Sequence, residues 1–211
     1  MASRNTVRII GGKWRGRKLT FGNFDDLRPT ADRGRETLFS WLDPMLQGSH
    51  CLDLFAGSGS LGFEALSRGA ASATMIDVRA AVIARLSEQA SSLGATPVIV
   101  RADARNWLRR AQSAAQRYDV IFLDPPFAAD LLNETLPLVC AIAATRGVIY
   151  IEQPQHGAAT QIPNGWFKAR ATASGSARLA LLARDLAPTR EAAALNPETM
   201  AATMADPDTP D

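Results

Sequence analysis

Residues 51–70 read CLDLFAGSGSLGFEALSRGA: an apolar run, a glycine-rich turn, then apolar positions at helical spacing. Cys51 to Phe55 reads as a strand and residues 60–69 as the helix that follows it. Glycines permit the tight turn between them and let a ligand lie against backbone N–H groups at the helix start. Gly57, Gly59 and Gly62 keep the G-x-G-x-x-G spacing of dinucleotide-binding folds. Asp77 follows about 20 residues later, at the end of the next strand, where a carboxylate for ribose hydroxyls belongs.

Outward from this unit the alternation continues. Strands at Ala73 to Ile76, Pro97 to Val100, Val120 to Leu123 and Val148 to Ile151 are separated by helices over 80–93, 104–115 and 130–143. Short strands rich in Val, Ile and Leu, alternating with helices, predict an α/β protein: a Rossmann-like, mostly parallel sheet with helices on both faces. Residues 166–184 read as a closing pair of strands around Gly175. Residues 7–24 read as glycine-broken extended pieces, a β-hairpin or small platform, and Thr30 and Asp32 offer capping oxygens to a helix over 33–42. The expected organisation is a basic hairpin extension over 1–27, a catalytic domain over 28–187 and a disordered tail over 188–211, where Ala, Pro, Thr and acidic residues leave little to bury.

The 211 residues, 46% of them hydrophobic, suffice for one well-buried core. No apolar run approaches the roughly eighteen residues of a membrane span, and the N-terminus lacks a secretory core, so a soluble, cytoplasmic protein is expected. Cys51 and Cys140 lie inside apolar segments, and His50 and His156 stand alone. Neither a disulfide framework nor a metal site is expected. Net charge is +2, but the cations are unevenly spread. Residues 4–35 hold Arg4, Arg8, Lys13, Arg15, Arg17, Lys18, Arg28, Arg33 and Arg35 against Asp25, Asp26 and Asp32. With Trp14 and Phe21 interleaved, the cluster suits phosphate contacts and stacking on unpaired bases, the alternative being a solvated surface hairpin.

Two carboxylates bear on which cofactor the glycine turn holds. Asp53, two residues before Phe55, favours a cationic ligand carrying an ammonium group and repels a pyrophosphate. It therefore points to S-adenosylmethionine over a nicotinamide dinucleotide, the competing reading. Asp103 can accept from an adenine amino group or cap the following helix. The reaction itself is read from Val120-Ile121-Phe122-Leu123-Asp124-Pro125-Pro126-Phe127, a buried strand ending in a carboxylate, two prolines and an aromatic ring. Consecutive prolines fix an extended backbone and remove two N–H donors, which leaves an acceptor-rich surface. The exocyclic amine of a base is a weak nucleophile because its lone pair is delocalised into the ring. Asp124 and the Pro125 carbonyl, accepting one hydrogen each, would hold that nitrogen toward the methyl group, with Phe127 stacked on the base.

The motifs RIIGGKWRGRKL, LRPTADRGRETLFSWL, CLDLFAGSGSLGFEALSRGA and VIFLDPPF, in this order, resemble the bacterial family of small-subunit ribosomal RNA guanine-N2 methyltransferases of the D type. The likeness runs from residue 7 to about 184. It implies a Rossmann-like methyltransferase with a small N-terminal RNA-binding hairpin, and one methyl transferred from S-adenosylmethionine to N2 of guanine 966 of 16S rRNA in an assembled or assembling small subunit; a monomer is expected. Carried over by position, Asp53, Phe55, Gly57, Gly59, Asp77, Asp103 and Thr30 would line the cofactor and Asp124, Pro125, Pro126 and Phe127 would take the base. The resemblance places Arg28, Thr30, Asp32, Arg33 and Arg35 at the site edge, toward RNA or the cofactor carboxylate. The chain departs from the family at Asp77, where a longer Glu is more usual, and at Arg79, where a second carboxylate is. It also lacks a tyrosine within Ala177 to Leu182. Two other readings compete: a DNA adenine methyltransferase, and a non-catalytic ribosome-assembly factor that keeps the fold as a binding module.

Overall fold

A computed structural model describes residues 5–21, 32–126, 130–156 and 160–184. The expectations for Arg28, Thr30, Phe127 and the tail fall outside the described residues. The arm is a hairpin of β1 (Asn5–Arg8) and β2 (Lys18–Phe21), paired antiparallel. The main body follows as α1 (Asp32–Leu46), β3 (His50–Asp53), α2 (Ser60–Ser67), β4 (Ser72–Asp77), α3 (Ala80–Leu93), β5 (Val98–Arg101), α4 (Ala104–Ser113), β6 (Tyr118–Leu123), α5 (Leu131–Ile142), β7 (Ala143–Pro154), β8 (Trp166–Ser174) and β9 (Ala177–Arg184). One seven-stranded sheet runs in the order β5-β4-β3-β6-β7-β9-β8. The first five strands are parallel, and β9 and β8 close the sheet antiparallel.

The parallel strands read as unbroken apolar runs because both their faces are covered. On one face Cys51, Met75, Val120, Phe122, Val148 and Tyr150 pack under residues of α1, α2, α3 and the arm. On the other, Leu52, Ile76, Ile121, Leu123, Ile149 and Ile151 pack under α4 and α5.

Element ends differ from the sequence reading for local reasons. The first helix continues past Leu42 to Leu46 although Pro44 lies inside it, because burial of Leu46 at 1% exposure holds the last turn against the missing N–H. The helix expected to reach 115 stops at Ser113, since Ala115 takes φ 53, outside helical geometry. None of the described helices is long and apolar enough to cross a membrane.

Candidate active site

In a parallel α/β sheet the carboxyl ends of the strands face the ligand. Here four of those ends carry carboxylates. Asp53 pairs with Met75 on one side and Phe122 on the other, and Leu123 pairs with Ile151. Period-two alternation from the buried Cys51, Met75, Phe122 and Tyr150 then puts Asp53, Asp77, Asp124 and Glu152 on one side of the sheet, the α1–α3 side, along adjacent strands. Among the described residues, no three His, Cys, Asp or Glu side chains are grouped to hold a metal ion.

Asp53 is 3% exposed and accepts from Gly62 N at 3.1 Å. Burial pushes its carboxyl up to about 7, with the Asp77 charge adding to the rise and the Gly62 bond opposing it. The Asp124 carboxyl is held well above the usual range, first by burial and then by the charges of Glu152 and Asp53. Burial and neighbouring carboxylate charge thus hold Asp53 and Asp124 against ionisation. A cationic ligand relieves that cost, as a second anion cannot. Glu152 is buried and accepts from Tyr150 Oη at 2.8 Å. Sequence reading missed it, although its signal is the one that marked Asp53 and Asp77: a lone acid closing an apolar strand.

The glycine turn is built around the same acids. Gly59 takes φ 76, and a Cβ there would meet the Leu86 and Phe63 side chains at 2.6 and 2.7 Å. Only glycine gives this turn its shape. Gly57 N donates to Asp77 Oδ2 at 3.1 Å, which joins the turn to the end of β4. Arg79 grips the same carboxylate, Nε to Oδ1 and Nη2 to Oδ2 at 3.0 Å each. The basic departure at 79 is thus an ion pair on the acid expected to hold ribose. Asp103 is the N-cap of α4, accepting from Asn106 N at 3.0 Å, with Arg105 Nη2 at 3.4 Å. That bond to Asn106 is the first cause that lowers its carboxyl below the usual range. Phe55 is half-buried against the α4–α5 core. Pro125 is buried and Pro126 exposed beside Asp124.

Of the basic cluster, Arg8, Lys13, Arg15, Arg17, Lys18 and Arg33 are exposed. Two expected RNA contacts need correction. Trp14 is 9% exposed within the core cluster, so its ring anchors the arm and is not a stacking platform. Arg35 is 0% exposed and donates to the Arg8 carbonyl at 2.9 Å, so it ties α1 to the arm and does not reach nucleic acid. Trp14 lies in a glycine-broken segment with no periodicity to show which residues turn inward, and Arg35 is covered by the docked arm, a contact 27 residues away in the chain.

The residues present fit S-adenosylmethionine: a glycine turn that admits a ligand to the backbone, a carboxylate at the end of the next strand, and the raised carboxyls of Asp53 and Asp124, whose ionisation a cationic ligand favours. Fold and site together define an S-adenosylmethionine-dependent methyltransferase. Residues 7–183 match the family described as Conserved hypothetical protein 95. A curated relative, Ribosomal RNA small subunit methyltransferase D of Escherichia coli (strain K12), is 41% identical over 182 residues, 85% of this chain and 90% of the relative. A solved structure from Escherichia coli described as a methyltransferase superposes with TM-score 0.75 at 40% identity, over 86% of this chain and 99% of that one. The fold is also that of a Thermus thermophilus 16S rRNA N2 G1207 methyltransferase solved with AdoMet and guanosine, TM-score 0.64 at 18% identity, over 86% of this chain and 50% of that one. The chain belongs to the Conserved hypothetical protein 95 family, with the small-subunit ribosomal RNA methyltransferases D among its members.

Proposed function

We propose that the protein methylates the exocyclic N2 of one guanine in 16S rRNA, guanine 966 by the resemblance, within the small subunit or its assembly intermediate. It does so as a cytoplasmic monomer. The observation that carries this reading is the half-buried Asp124 just beyond the end of β6, followed by two prolines, with its carboxyl raised by the charges of Glu152 and Asp53 as well as by burial. Asp53, Phe55, Gly57, Gly59 and Asp77, with Asp103 and Thr30, hold the cofactor, which supplies an electrophilic methyl group. Arg79 shares Asp77 with the ribose or gives way to it.

Asp124 and the Pro125 carbonyl accept the two amine hydrogens and orient the nitrogen lone pair, while Phe127 and Pro126 pack on the base. As the nitrogen gains its methyl it must lose a proton. An ordinary aspartate is a weak base for this, but the burial and neighbouring charges that raise Asp124 make it a better acceptor. Arg8, Lys13, Arg15, Arg17, Lys18, Arg28 and Arg33 contact rRNA phosphates.

Incubation with labelled S-adenosylmethionine and small subunits from cells lacking the enzyme tests this. Mass spectrometry of the RNA should locate a single N2-methylguanosine. Label in duplex DNA, or none in the subunit, would overturn it.

A further inference from the structure

The arm is not a loose appendage, and several of the contacts that fix it gather on α2. Glu64 of α2, 0% exposed, accepts Ile10 N on Oε2 and Gly11 N on Oε1, both at 2.7 Å, and Arg68 Nε at 2.8 Å. Ser67, one turn further on, accepts Trp14 N at 2.9 Å and donates to the Gly11 carbonyl at 2.6 Å. Gly12 lies so near that a Cβ would sit 1.8 Å from the Ser67 carbonyl oxygen, at φ +72. Farther along the arm, Gln89 Nε2 donates to the Thr20 carbonyl at 2.5 Å and Arg17 Nη2 to the Ser92 carbonyl at 2.9 Å. All the bonds to the arm but that of Arg17 engage its backbone groups, so they fix its path largely independently of the side chains it carries.

The other end of α2 is the glycine turn: Gly59 caps the helix and Gly62 N bonds Asp53. Four residues at about 1.5 Å each put Glu64 about 6 Å along α2 from Ser60, so the helix is a short spacer between cofactor turn and arm. We propose that Glu64 is a positioning residue for RNA recognition: through the Ile10 and Gly11 amides it holds the cationic edge of the arm at a fixed offset from the cofactor turn. This rests on the reading of the arm as an rRNA contact. A charged acceptor on two backbone N–H donors makes a strong, directional pair of bonds. Glu64→Gln replaces one acceptor with a donor facing a donor and should release the arm without touching a cofactor or base contact. Gly12→Ala should release it from the other side, by contact with the Ser67 carbonyl.

Steady-state kinetics on small subunits, with calorimetry of S-adenosylmethionine binding, tests the proposal. Both variants should raise KM for the subunit by about tenfold or more, as expected when several phosphate contacts lose register. Their kcat at saturating subunit and their cofactor affinity should stay near wild type. The double variant Arg15→Ala/Lys18→Ala is the control for the arm itself. If it leaves KM unchanged, the arm does not contact rRNA and the proposal falls with that reading. If it raises KM while Glu64→Gln and Gly12→Ala do not, the positioning role alone is overturned. Loss of cofactor affinity in parallel with KM in both variants would mark a general folding role and overturn it equally.

Discussion

Asp53 holds its proton because burial removes the water that would solvate its charge, and this makes cofactor binding a titration. Its carboxyl rises from 3.8 to about 7 in the folded protein, so below that pH a proton must leave before a cation can be paired. Affinity for S-adenosylmethionine should be highest above pH about 7 and weaken as pH falls, with proton release on binding. Calorimetry in buffers of different ionisation enthalpy reads both. Asp53→Asn should flatten the profile, whereas a pH-independent affinity in the wild type would contradict the assignment. The same shift has a stability sign. A raised carboxyl contributes stability that is complete below its unfolded value and lost as pH rises toward about 7, so the ligand-free protein pays for its site near neutrality. Asp124, raised by burial, Glu152 and Asp53, follows the same rule.

Among the elements, α4 separates two roles for one carboxylate. Asp103 caps the helix through Asn106 N, and loss of a cap of this kind costs about 1 kcal/mol. Asp103→Ala should lower stability by that amount in urea unfolding. If the residue also accepts from the adenine amino group, its cofactor affinity should fall as well; a stable variant with unaltered affinity would remove both roles. The elements themselves were largely legible. Five apolar strands alternating with helices announced the parallel sheet, and the pair around Gly175 announced β8 and β9. Strand-ending acids were legible too: Asp53, Asp77 and Asp124 each close an apolar run just before glycine, turn or proline. Glu152 was not, although it too follows an apolar run, because it lies inside a longer strand, Ala143–Pro154, with no glycine or turn directly after it. Trp14, Arg35 and Glu64 were hidden for another reason. Their roles depend on how the arm docks against α1 and α2, contacts 27 to 54 residues apart in the chain, and no local pattern encodes such a distance.

At the scale of the whole molecule, the sheet brings four acids to one edge, α1 to α3 and the arm cover the side they occupy, and α4 and α5 support the other. The proposed chemistry requires that Asp124, at the tip of a central strand, act on the amine that takes the methyl group and not merely fill space. The most direct measurement is the single-turnover rate of methyl transfer to small subunits by Asp124→Asn, which keeps the side chain's shape and removes its charge and proton affinity. The rate should fall by about 10²–10³ or more, the cost of losing one preorganised polar contact to a transition state, while the subunit still binds. A rate within a few-fold of wild type would contradict the claim.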